Sequence, residues 1–138
     1  MKIFLYFSIL FFCSSAFAGW IKLNQNEAMD TEYFIDLENI RGSSERLRMW
    51  TLTDYRNIQA TKKIKYQSIK SLVEINCQSK NMRILAYSLY EKSMAKGKVV
   101  FSKGRPFKWE QVMPSTVNGL FLNLGCSKIE MECSKKLC

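Results

Sequence analysis

Thiols are the side chains best able to do covalent chemistry in this chain of 138 residues, which carries five cysteines and no histidine. A cysteine nucleophile needs an activating base, and without imidazole the usual one is missing. Zinc would need ligands at close, regular spacing, yet no two of Cys77, Cys126, Cys133 and Cys138 stand two residues apart, and no histidine can complete a mixed set. Carboxylates are the other resource. Asp36, Glu38, Asp54 and Glu74 could supply a glycosidase-like acid and base, but they are spread over separate predicted strands with no spacing that brings two together. Neither "GWIK" nor "GKVVFSKG" has the glycine spacing or the Gly-Lys-Ser/Thr ending of a phosphate loop. The residue set therefore excludes the Ser-His-Asp and histidine-metal machineries, and points to a non-catalytic protein with no cofactor and no metal.

The fate of the thiols depends on where the chain goes. Its start, "MKIFLYFSILFFCSSAFAGW", has a lysine, an apolar block from Ile3 to Phe12, and the small residues Ala16 and Ala18 flanking Phe17. That is the pattern of a signal peptide over 1–18. The block is shorter than the roughly 20 residues a membrane span requires, and no later segment reaches that length, so no transmembrane segment is expected after cleavage. Phe11-Phe12 before Cys13 is not a lipobox, so Cys13 leaves with the leader. What remains is one domain, 19–127, with a cysteine-containing tail over 128–138. In an oxidising compartment, four remaining cysteines read as two disulfides with three possible pairings.

The elements that would hold these residues are mostly strands. "TEYFIDL" alternates Tyr33, Ile35 and Leu37 against Glu32, Phe34 and Asp36, and "RLRMWTLTDY" alternates Leu47, Met49, Thr51 and Thr53 against Arg48, Trp50, Leu52 and Asp54. Gly42-Ser43-Ser44 lies between them as a hairpin turn. "YQSIKSLVEINC" sets Ile69, Val73, Ile75 and Cys77 on one face and Lys70, Leu72 and Glu74 on the other; "QSKN" turns the chain into "MRILAYSLYEK". Beyond the Lys96-Gly97-Lys98 turn comes the β-branched "VVF". The period then changes. "PSTVNGLFLNLGC" has Val117, Leu120, Phe121 and Leu124 at helical spacing, with Ser115 expected as N-cap and Gly125 as the stop. The fold class is α+β, a single antiparallel sheet of about six strands with a C-terminal helix packed on one face. A helix ending at Cys126 and a sheet face containing Cys77 favour a bridge between them. Cys133 and Cys138 would then form a local clip, or a frayed, reactive or intermolecularly paired end.

Charge supplies the remaining signal. The formal net charge of +9 becomes +8 without Lys2, and it is concentrated in two clusters. One is Lys62, Lys63, Lys65 and Lys70; the other is Lys96, Lys98, Lys103, Arg105 and Lys108, with Tyr66, Phe101, Phe107 and Trp109 interleaved. Nucleic acid is not an expected partner of an exported chain; acidic proteins, anionic glycans or lipid headgroups are. A solvated, merely solubilising surface is the plain alternative.

The segments "YFIDLENIR", "RMWTLTDY", "YQSIKSLVEINC" and "WEQVMPST", followed by Cys126, stand in an order that resembles the surface-adhesin protein E-like family of bacterial envelope proteins. The resemblance runs from Trp20 to Cys126. It implies a six-stranded antiparallel sheet, a helix packed on it, a Cys77–Cys126 disulfide, and adhesion to host extracellular matrix proteins through a surface that includes the basic strand from Lys62 to Cys77. The missing lipobox departs from the family's lipid-anchored namesake, and the tail ending at Cys138 is an addition. Together these readings predict an exported binding module in the periplasm or on the outer surface of a Gram-negative cell. Its contact residues are Lys62, Lys63, Lys65, Tyr66 and Lys70, and its partner is a matrix protein, an envelope protein or an anionic glycan. A periplasmic structural or assembly factor, and a small-ligand pocket between helix and sheet, are the competing expectations; oligomeric state is left open.

Overall fold

The computed structural model describes residues 19–23 and 30–136. The expected leader, with Cys13, and the terminal Cys138 lie outside the described residues. Seven strands form one antiparallel sheet: β1 (Trp20–Lys22), β2 (Thr31–Gly42), β3 (Leu47–Thr61), β4 (Ile64–Asn76), β5 (Asn81–Tyr90), β6 (Val99–Lys103) and β7 (Glu110–Gln111). The first six lie side by side in chain order, and the two-residue β7 adds to β5 beside β6. Helix α1 (Val117–Lys136) follows. This is the single sheet with a C-terminal helix that the alternation predicts.

Turn chemistry fixes the meander. Gly42 takes φ +109° at the end of β2, where any Cβ would run into the carbonyl of Arg46, so only glycine makes that corner without strain. The β3–β4 hairpin closes at Thr61 opposite Ile64, with Lys62 in the left-handed region at φ 38°. Asp36 organises an irregularity in β2: its Oδ1 accepts the N–H groups of Glu38 (3.1 Å) and Asn39 (3.2 Å), and its Oδ2 accepts Asn39 Nδ2 at 2.7 Å. The register with β3 shifts at that point.

Cross-strand partners share a face, which sorts the sheet's side chains. Ile35, Thr51 and Ser71 stand in one row, and Leu47, Ile75 and Met82 in another. Ile35, Leu47, Ile75 and Met82 pack with Phe121, Leu122 and Cys126 of the helix, so this is the helix-bearing face and the core. Trp20, Asp36, Trp50 and Leu72 form the alternate row and point the other way.

The helix departs from expectation in three respects. Thr116, not Ser115, caps its start: Thr116 Oγ1 accepts the Gly119 N–H at 3.2 Å. Its buried side is Phe121, Leu122, Gly125 and Cys126, whereas Leu120 and Leu124 are 45% and 37% exposed. The bridge to Cys77 pins Cys126 inward and so sets the rotation of the helix, turning Leu120 and Leu124 out. Nor does Gly125 end the helix. It stays helical and faces the sheet, where an added Cβ would lie 3.0 Å from Met49 Sδ and 3.3 Å from Leu47 Cδ2. Glycine there lets helix and sheet approach, and the polar run after Cys126 carries α1 on to Lys136.

Candidate functional site

The buried carboxylates are each held by their own neighbourhood. Glu74 is fully buried in a cross-strand row between Arg48 and Arg83, on the face away from the helix. Arg48 Nε donates to its Oε1 at 3.0 Å and Arg83 Nε to its Oε2 at 2.8 Å. Burial acts to raise the Glu74 pKa, but the hydrogen bonds and charges of the two guanidinium groups prevail, and the carboxyl is held below its ordinary range. Asp54 accepts Ser93 Oγ at 2.6 Å and the Met94 N–H at 2.8 Å. Ser68 accepts the Ala95 N–H at 2.9 Å and donates to the Lys92 carbonyl at 2.6 Å. Together they clamp a 3-10 turn (Ser93–Ala95) over β3 and β4, holding Met94 and Ala95 in the left-handed region. Asp36 serves the β2 irregularity, and Glu38 is exposed beside it. Among the described residues, no three His, Cys, Asp or Glu side chains group to hold a metal.

The five basic and aromatic residues expected to make contact are divided by the pleat. Lys62, Lys63 and Lys65 are exposed together at the β3–β4 hairpin tip. Tyr66 follows them, half-buried, its ring edge-on to Tyr55 with centroids 5.9 Å apart. Burial, and then repulsion from Tyr66 and Tyr33, push the Tyr55 hydroxyl pKa up, so Tyr55 stays neutral at physiological pH. Tyr66 forms one wall of a groove of about 360 Å³ floored by Ile69 and Leu89 and bounded by Tyr87 and Phe101. Ile69, Leu89 and Phe101 stand in one cross-strand row on the helix-bearing face.

Lys70 stands apart from the other four. It points to the opposite face, where its Nζ lies 4.5 Å from the centre of the Trp50 ring and 6.0 Å from that of Trp20. On the same face Arg83, besides holding Glu74, stacks over Trp109 at 4.5 Å. The charge clusters of the sequence did not single out Trp20, Trp50, Arg48 and Arg83. Arg48 and Trp50 share a phase of β3 with Asp54, whereas Arg83 shares its phase in the sequence with Leu85, Tyr87 and Leu89 and reaches this face only through its pairing with Glu74.

Cys77 and Cys126 are joined by a disulfide with an S–S distance of 2.07 Å. Cys133, on α1, is also disulfide-bonded. Between the sheet and the start of α1 lies a cleft of about 280 Å³, lined by Tyr33, Thr51, Ser71 and Val73 from the sheet and Val117 and Phe121 from the helix. No described helix is long and apolar enough to cross a membrane.

Over residues 20–127 the sequence matches the family described as surface-adhesin protein E. No curated protein matches it. The fold is similar to the structure of Haemophilus influenzae protein E, with a TM-score of 0.62 at 16% identity, covering 83% of this chain and 88% of that one. A second crystal form of the same protein gives a TM-score of 0.63 at 16% identity, covering 82% and 91%. Protein E from non-typeable Haemophilus influenzae gives 0.52 at 13% identity, covering 77% and 75%. At these identities the likeness is one of fold.

Proposed function

The chain belongs to the surface-adhesin protein E family, and on that premise we propose that it is an exported, non-catalytic binding module that docks acidic protein or glycan partners through its β3–β4 hairpin. The observation that carries this reading is the hairpin tip, where Lys62, Lys63 and Lys65 are exposed beside the aromatic wall of Tyr66 and its groove. Cations at a projecting tip attract an acidic partner over a distance, and a neighbouring apolar surface supplies short-range contact. The buried carboxylates are already committed to Arg48, Arg83, Ser93, Asn39 and backbone N–H groups, which suits a scaffold better than an acid–base centre. Host extracellular matrix proteins and anionic glycans are the proposed partners, and the outer cell surface the proposed location.

Binding of the purified chain to immobilised matrix proteins and to heparin tests the reading. Replacing Lys62, Lys63 and Lys65 together by Glu should weaken binding by at least about tenfold and flatten its decline with rising salt. Unchanged binding would remove the hairpin as the contact surface. Antibody labelling of intact cells tests the location: a signal seen only after the outer membrane is opened would favour a periplasmic assembly role.

A further inference from the structure

The sheet ends at β6, and among the described residues no strand pairs with its outer side. All five of its residues are exposed, including Val99 at 52%, Val100 at 36% and Phe101 at 39%. An edge with apolar side chains and unpaired backbone groups is a template for another strand, and proteins usually suppress it. Here the suppression is selective. Residues 91–110 carry six cations against two carboxylates, and Lys103, at the end of β6, lies over the Phe107 ring at 4.4 Å. A second copy of this chain would bring the same cations to the same edge and be repelled. An acidic strand would be attracted. Phe101 also bounds the groove floored by Ile69 and Leu89, so a side chain on the helix-bearing side of an added strand would reach its mouth.

We propose that β6 accepts an extended acidic segment of a partner protein as an added strand, with an apolar side chain of that segment packed against Phe101 at the groove. Backbone hydrogen bonds to β6 supply affinity; the cations and the groove supply choice, since they require alternating acidic and apolar side chains. The inference rests on the binding-module reading and adds the partner's conformation and charge. Val100 marks the spot most open to manipulation. The register with β5 slips there, Phe101 facing Leu89 and Val99 facing Tyr90, which leaves Val100 as the extra residue of a bulge.

The test uses the full mature chain and a short synthetic peptide alternating Glu with Val and Phe, with a Lys-for-Glu counterpart and a backbone N-methylated version as controls. Hydrogen exchange read by NMR should show the acidic peptide slowing exchange within Val99–Lys103 by at least about tenfold, while neither control does so. Val100→Pro, at a bulge position that tolerates proline, should abolish this protection. The double variant Lys98→Glu with Lys103→Glu, at exposed positions, should weaken binding at least about tenfold while leaving the fold intact. No binding of the acidic peptide, binding without protection of β6, or equal binding of the N-methylated peptide would each overturn the proposal. The hairpin reading fails separately, through unchanged matrix binding in the triple-lysine variant, a result that does not alter the β6 exchange.

Discussion

Glu74 shows how one buried charge can be held. Its carboxylate is out of water, Arg48 is about half exposed, and Arg83 lies between them in burial. Removing the carboxylate charge would leave two guanidinium groups facing each other across a polar hole. Breaking a fully buried ion pair costs about 3–5 kcal/mol; with one arginine in solvent, Glu74→Gln should destabilise by about 2 kcal/mol at neutral pH. Since folding lowers the Glu74 pKa, the triad stabilises fully above the unfolded carboxyl value of about 4.3 and loses that contribution as pH falls through the folded value. Urea titrations of both proteins should therefore show a gap that is full near pH 7 and closes in acid. A gap independent of pH would mean that the carboxylate's charge is not what stabilises the sheet there.

At the scale of elements, α1 and the sheet depend on close approach. Gly125 lies against Met49 and Leu47 with no room for a branched side chain. Gly125→Val should push the helix off the sheet and cost about 1–3 kcal/mol, the usual range for overpacking, despite glycine's poor helix propensity. Thermal denaturation reads this directly; an unchanged or raised Tm would show that the packing at Gly125 is loose. The same contact explains a misleading sequence signal. Glycine after an apolar helical run reads as a stop, and only the facing strand reveals that this one makes room. Likewise, Leu120 and Leu124 fit a helical stripe as well as Leu122 does, and the linear pattern cannot select among them. The alternation of β2, β3 and β4 was legible on the helix-bearing face, where Ile35, Leu47, Met49, Val73 and Ile75 are all buried; it did not reveal that Phe34, Leu52 and Glu74 of the opposite phase are buried as well.

Across the whole molecule, the Cys77–Cys126 bridge ties the end of β4 to the middle of α1, 49 residues apart in sequence. Chain entropy assigns a crosslink of that span about 4 kcal/mol, with any strain reducing it. Replacing both cysteines by Ala should lower stability by a comparable amount, measured by chemical denaturation under oxidising conditions. A loss below about 1 kcal/mol would show that the core alone seats the helix. Much of this architecture was readable beforehand. The strand alternation and the change of period near Pro114 determine the class of fold, because each is a property of residue type and neighbour spacing. Which charges act together was not readable. Lys65 and Lys70 are near neighbours in the chain, yet the pleat and the irregular register between Asp54 and Gln59 send Lys70 to the tryptophans of one face and leave Tyr66 at a groove on the other. The pairing of β5 with β6 likewise makes an exposed edge of what the sequence offers only as a β-branched run. Those outcomes depend on contacts between residues far apart in the chain, and only the folded sheet determines them.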